Sequence, residues 1–427
     1  MTAANPVVMP ASSDLGVAER TTLRNARIRG IVLAALGLVS LQAAIATMDI
    51  AATFSFWIDR QGGTPFVIAT QAGVLWILTG VASVGFGVAQ LVRGTAFPWR
   101  RSLLVLLPLL VAALLGTMLA GKPANLTGVF AQSLDLAVPI TLGAFAGILS
   151  ERSGILNIAI EGKLLIGACA AAVAASVTQN VVIGVVASIA AGAAVGYLLA
   201  WLAIRHRVDQ IIAGVVINIG ALGITNFLFL RVLSRNTELN RPPSIEAIKV
   251  PILADLPVLG PLLFSGTPYL YFTLGLMIFF AYMLYRTRWG LRLRASGEKP
   301  SAAGTVGIDV VAIRYRAMIM AGMVAGLAGS YLSLSSAGSF QMNMSAGRGF
   351  IALAAVIFGA WNPIYAFGAA LVFGFSDALQ VLLSIIGVDV PPQLLNSVPY
   401  IVTIVVVAGV VGRVRGPAAA GQPYDQG

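Results

Sequence analysis

Ile31–Thr47, Leu103–Ala120 and Val181–Ile204 are uncharged, strongly apolar runs, each near the roughly 20 residues that carry a helix across a bilayer. No soluble core can hide several such runs. The whole chain agrees: 58% of its residues are hydrophobic and 10% are charged, with a mean hydropathy of +0.90, against roughly 25% charged residues in ordinary soluble domains. The solvent for most of this polypeptide is lipid.

Extending the reading gives about twelve apolar segments: Ile31–Ala52, Pro65–Val92, Ser102–Gly121, Val129–Leu149, Ile155–Thr178, Val181–Ile204, Val208–Val232, Tyr269–Tyr285, Ala312–Ala337, Gly349–Trp361, Ile364–Ile386 and Val398–Gly412. A spanning segment must satisfy its own backbone hydrogen bonds, and these runs lack the in-out alternation of barrel strands. The fold class expected is therefore an all-α polytopic membrane protein with 10 to 12 crossings. Gly349–Trp361 is short for a crossing and fits a re-entrant segment as well.

Charge distribution supplies orientation. Starting with the N-terminus inside, 19 of the 27 Lys and Arg fall on the inner side, seven on the outer side, and Lys163 lies within a span. The bias favours an even number of crossings with both termini cytoplasmic. The net charge of +11 does not point to nucleic acid, because no basic face alternates with stacking aromatics. One cysteine, Cys169, and one histidine, His206, exclude a disulfide framework and a Cys/His metal site. Arg20, Arg24, Arg27 and Arg29 precede a first run long enough to be a retained span.

Two connections exceed simple turns. The outer one, Leu233–Pro268, is proline-rich, which favours extended chain over helix. The inner one, Thr287–Val311, carries Pro300 and Gly307 as helix start and stop signals, predicting a short helix over Pro300–Val306. With Arg292, Arg294, Glu298 and Lys299 beside it, that helix either docks into a groove on a soluble partner or lies at anionic headgroups.

Polar groups inside apolar segments mark the candidate pathway. In Ser150–Gly162, Asn157 and Glu161 are four residues apart and would share a helix face. A carboxylate there turns to a cavity, a pathway or a partner such as Lys163. Asp135, Asn218, Asn226 and Asp377 also interrupt apolar segments, as pathway groups or interhelical glue. Gly143 with Gly147, Gly192 with Gly196, and Gly322 with Gly326 permit close helix approach. No Gly-x-x-x-x-Gly-Lys-Ser/Thr loop, zinc-binding His pair or nucleophile elbow is present, so the chain is not expected to be an enzyme, and ATP, if used, binds elsewhere.

Three blocks carry a resemblance: Thr141–Gly162, Gly290–Gly304 and Gly347–Pro363. Their sequences resemble bacterial ABC-importer permeases of the nucleoside and simple-sugar branch, related to branched-chain amino acid permeases. Ser-Glu-Arg-Ser-Gly at 150–154 and Ala-Gly-Arg-Gly-Phe at 346–350 look most like the nucleoside members. The resemblance covers about 129–415 and implies a permease core there, with a coupling loop at 287–311. Residues 1–30 and 416–427 would then be tails, and the first three spans, 31–128, lie outside the resemblance. It also implies a second permease in a heterodimer, a cytoplasmic ATPase, and a substrate-binding lipoprotein outside. The ATPase would carry ATP and magnesium and dock around Gly290, Arg292, Arg294, Gly297, Glu298, Pro300, Ala302, Ala303 and Gly307. The Gly-Glu-Lys-Pro of residues 297–300 departs from an expected Gly-Glu-Asn-Pro. The location implied is the bacterial cytoplasmic membrane. Alternatives are a simple-sugar or branched-chain amino acid permease, an ion-coupled transporter using Glu161, Asp135 or Asp377, and a membrane scaffold.

Overall fold

The computed structural model describes residues 12–56, 65–119, 121–387, 397 and 415–424. Among these, ten helices are long and apolar enough to cross a membrane. The last apolar segment expected from the sequence, Val398–Gly412, lies outside the described residues.

Two compact units divide the chain. The first contains α1 (Ser12–Ala46), α2 (Ala72–Arg93) and α3 (Trp99–Leu119). Its helices pack through small residues: Gly37 of α1 lies against Gly80 and Val84 of α2, and Gly87 of α2 against Gly30 and Ala34 of α1. Lipid gives helices no hydrophobic reason to associate, so close backbone approach supplies the attraction. Trp76 donates to the Thr117 hydroxyl at 2.8 Å and Ser83 to the Leu33 carbonyl at 2.8 Å.

A three-stranded sheet in this unit departs from the all-helical reading. β1 (Ala51–Phe56) pairs antiparallel with β2 (Phe66–Gln71) and parallel with β3 (Pro123–Asn125). The apolar segment Pro65–Val92 is thus not one span: its first residues join the sheet and the helix starts at Ala72. Phe-Val-Ile-Ala-Thr at 66–70 is a strong strand former, and β1 supplies the backbone partners that a helix would otherwise provide.

The second unit is built on α4 (Leu126–Glu151), α5 (Ile160–Thr178), α6 (Val181–Ala200), α7 (Gln210–Leu228), a five-residue α8 (Leu259–Leu263), α9 (Pro268–Arg286), α10 (Arg288–Glu298), α11 (Pro300–Thr305), α12 (Val310–Ser330), α13 (Arg348–Phe358) and α14 (Pro363–Ile386). Single π-helical turns extend α6, α7 and α12 to Arg205, Leu233 and Ser336. Helix starts follow local chemistry. Asn180, Asp209, Thr287 and Asp309 each accept a hydrogen bond from the first turn of α6, α7, α10 and α12, satisfying donors that have no partner inside the helix. The proline-rich connection 233–268 is irregular over 241–250, but it also holds a 3-10 helix, Thr237–Asn240, a run of turns over 251–258 and α8, so it is extended only in part.

The core of this unit is α4, α12 and α5, whose central windows are 89%, 83% and 72% buried, while α6 and α7 are 22% and 28% buried. Gly192 and Gly196 on α6 leave no room for a Cβ against Gly322 and Gly326 on α12, and Gly167 on α5 abuts Gly326. Gly143 and Gly147 on α4 pack on Ala352 and Val356 of α13.

Candidate functional site

Two stretches of irregular chain in the second unit are held by polar side chains from distant helices. In the first, α4 ends at Glu151 and α5 begins only at Ile160. The sequence expectation of one helix from Ile155 is therefore corrected: Asn157 precedes α5 and shares no helix face with Glu161. Side chains replace the missing helical bonds. Gln210 accepts from the Leu156 N–H at 2.7 Å. Asn218 donates to the Ile158 carbonyl at 2.9 Å and accepts from the Gly162 N–H at 2.8 Å. Lys163, fully buried, donates to the Asn157 side-chain oxygen at 2.6 Å. From Gln210 to Asn218 the rise along α7 is about 12 Å, so this irregular chain penetrates well into the unit before α5 starts.

The second interruption follows α12. Phe340 exchanges hydrogen bonds of 2.7 and 2.9 Å with the Asn240 side chain, and the chain then turns through left-handed backbone at Asn343, Ala346 and Gly347. For a residue with a Cβ such geometry costs about 1–2 kcal/mol. α13 follows, about 16 Å long at 1.5 Å per residue, half the hydrocarbon thickness of roughly 30 Å. Gly349–Trp361 is thus a half-helix. Its far end is held by the Trp361 indole donating to Glu151 at 2.6 Å, and by Arg152 and Tyr285 donating to the Trp361 carbonyl at 3.3 and 3.4 Å.

The starts of α5 and α13 meet. Glu161, in the first turn of α5, accepts from the Ser345 hydroxyl at 2.5 Å, the Gly347 N–H at 2.8 Å and the Gly349 N–H at 2.7 Å. Each helix N-terminus carries a partial positive charge near +0.5, so a carboxylate between the two is electrostatically favoured. A Cβ at Gly349 would collide with the Glu161 backbone, which is why glycine stands there. Arg348 is anchored on the Met344 and Ser345 carbonyls at 3.2 and 3.4 Å.

Of the sequence-expected pathway residues, Asn157, Glu161 and Asn218 are thus joined through Gly162 and Lys163, while Asp135 lies on α4. Asn226 lies about 12 Å farther along α7 than Asn218 and joins none of them. Arg348 is the first residue of α13, between the two glycines whose N–H groups reach Glu161. The sequence analysis does not single out Gln210, Ser345, Gly347 or Gly349 as members of this site. The spaced glycines of Ser345-Ala-Gly-Arg-Gly349, ahead of an apolar run, were the available signal for a backbone that offers N–H groups to an acid.

The inner connection holds two helices, α10 and α11, where only the second was expected. Gly290 packs against the end of α9, and Gly297 against Arg152 and Gly154. Arg294 lies over the Tyr285 ring at 5.3 Å, and Glu298 pairs with Arg152 at 3.9 Å. Ala303 is buried, whereas Arg292, Ala302, Gly307 and the apolar Leu291 and Val306 are exposed. Ser296 donates to the Ser153 carbonyl at 2.9 Å, as does buried Arg314 at 3.1 Å. The segment 415–424 crosses the same region: Ala419 N–H donates to Gly297 at 2.9 Å, Gly421 N–H to Gly154 at 3.2 Å, and Arg314 to the Gln422 carbonyl at 3.2 Å. Pro300 begins α11.

Residues 129–407 match the family model described as branched-chain amino acid transport system / permease component. The chain is 38% identical over 307 residues to the guanosine ABC transporter permease protein NupQ of Bacillus subtilis, covering 69% of this chain and 95% of that protein. It is 35% identical over 305 residues to the nucleoside ABC transporter permease protein NupC of Lactococcus lactis, covering 69% and 96%. A putative glucose ABC transporter permease protein, TsgC13 of Haloferax volcanii, is 32% identical over 322 residues, covering 70% and 98%. No solved structure matches. With ten membrane-length helices among the described residues, two irregular breaks in its second unit, and this sequence kinship, the chain belongs to the branched-chain amino acid transport system permease component family, as a multi-pass transport subunit of the cytoplasmic membrane.

Proposed function

We propose that this chain is the transmembrane subunit of an ATP-driven importer that carries nucleosides inward. The observation that carries the reading is the meeting, at Glu161, of the start of α5 with the irregular chain that leads into the short helix α13; such geometry belongs to translocation routes rather than to anchors. The nucleoside assignment rests on the two relatives named for guanosine and nucleosides. A second reading, a simple sugar, has the glucose relative in its favour. The three hydrogen bonds that the Glu161 oxygens accept give this side chain a holding role between the two segments.

On this reading both termini and the Gly290–Gly307 element face the cytosol. A separate ATPase chain holds ATP and magnesium and docks on that element, with exposed Leu291 and Val306 in the contact. A second permease completes the membrane part, and an extracytoplasmic lipoprotein delivers the solute. Motion at α10 reaches the pathway through Gly297 and Ser296, which are bonded or packed to residues 152–154, the base of the first irregular stretch. Asn157, Glu161 and Asn218 shape the route by holding the starts of α5 and α13 in place, with Asp135 on α4 a further polar group along it.

Reconstitution of the whole importer in proteoliposomes tests this. ATP-dependent uptake of labelled guanosine exceeding that of glucose is expected, and replacing Glu298–Ala303 by a Gly/Ser stretch should leave membrane insertion intact while cutting uptake at least tenfold. Guanosine uptake that follows a proton gradient without any ATPase would refute the proposal.

A further inference from the structure

The segment leading into α13 exposes more than its depth allows for a lipid-facing wall. Ser345, Gly347 and Gly349 reach Glu161, and Glu161 sits beside Gly162, which is tied to Asn218 in the middle of α7. Around these anchors Gln341, Met342, Asn343, Ala346 and Phe350 are exposed, although the backbone from Ala337 to Gly347 is not helical. Non-helical backbone at membrane depth is tolerated only where protein covers it or water reaches it. The left-handed residues Asn343 and Ala346 add a second sign, since strained backbone persists where surrounding contacts enforce it and clusters at ligand-handling sites.

We propose that this outward side of the second irregular stretch lines the water-filled route and that Phe350 is the platform on which the transported base stacks. This deepens the nucleoside reading above and rests on it. Phe350 is 51% exposed at the start of α13, an aromatic face open where the buried neighbour Gly349 turns to Glu161. The exposed side-chain amides of Gln341 and Asn343 offer both donors and acceptors to base edges or ribose hydroxyls. Arg348, two residues earlier, is pinned on two carbonyls and holds the turn that presents the ring. The ligand class is therefore a planar heteroaromatic base bearing hydroxyls, held by stacking with little demand on base identity.

The single cysteine, Cys169, is buried and makes the test direct. In the assembled importer carrying Cys169→Ser, Asn343→Cys and Phe350→Cys are each exposed to a membrane-impermeant methanethiosulfonate. Ile219→Cys, next to Asn218 on continuous α7 and 65% exposed, serves as the lipid-facing control. Expected is labelling at 343 and 350 but not at 219, slowed severalfold by guanosine and not by glucose. Phe350→Ala should raise the KM for guanosine roughly tenfold while Phe350→Trp stays within about twofold, with equal recovery of assembled complex. Reaction at 343 and 350 only with a lipid-soluble maleimide, or with neither reagent, overturns the placement. Labelling indifferent to guanosine, in an importer that takes guanosine up, overturns the stacking role. An importer that ignores guanosine, yet is labelled at 343 and protected by glucose, refutes the nucleoside reading while upholding the placement of the route.

Discussion

The two irregular stretches use the same device and surround it differently. In the first, residues 152–163 are sealed in protein: Asn157 and Lys163 are completely buried and bonded to each other, and Asn218 bridges the break. In the second, the chain from Gln341 to Phe350 turns Ser345, Gly347 and Gly349 toward Glu161 and leaves much of its other side exposed. A half-helix inside a membrane needs its first N–H groups satisfied. Here one carboxylate on the sealed side serves the open side. The lesson is a division of labour, in which one stretch is scaffold and the other is surface.

Breaking the shared carboxylate is the most damaging change expected. Glu161→Ala orphans the Ser345 hydroxyl and two N–H groups of the α13 start, at about 1–3 kcal/mol for each buried group left unpaired. The purified importer should lose thermal stability by many degrees in a melting assay; Glu161→Gln, which keeps one acceptor oxygen, should lose less. Equal stability of the Ala variant would mean that the starts of α5 and α13 do not depend on each other.

Asn218→Ala attacks the sealed side alone. It leaves the Gly162 N–H and the Ile158 carbonyl without their partner, a penalty of about 1–3 kcal/mol, and should lower melting without altering impermeant labelling at position 343. If labelling at 343 changed as much as stability did, the scaffold and surface roles would not be separable.

The smallest effect is expected at the base of the first stretch. Arg152 and Glu298 form a partly exposed pair, with Glu298 52% exposed, and such pairs contribute about 0–1 kcal/mol. Glu298→Gln should therefore shift melting by no more than a degree or two, and any larger fall in uptake would locate its role in coupling rather than folding.

How legible these features are in sequence varies with the range of the interactions involved. Hydropathy marks α4, α6, α7, α9, α12 and α14 because lipid acts on each segment locally. Pro300 and Gly307 mark α11 for a similarly local reason. Asn157 and Glu161 stand out as polar groups in apolar sequence, yet their helical spacing misleads, because the helix does not start until Ile160. The strand at Phe66–Gln71 was hidden within an apolar run, since strand and helix share that composition until a pairing partner is known.

What the sequence determines by itself, then, is the solvent, the class and most of the crossings, along with the short helix that starts at Pro300. Only the tertiary structure decides where crossings break. Gly162 finds Asn218 across 56 residues, and Gly347 finds Glu161 across 186. A helix can be given up at those points because distant side chains take over its backbone hydrogen bonds, and no local pattern of residues encodes which distant side chain will arrive.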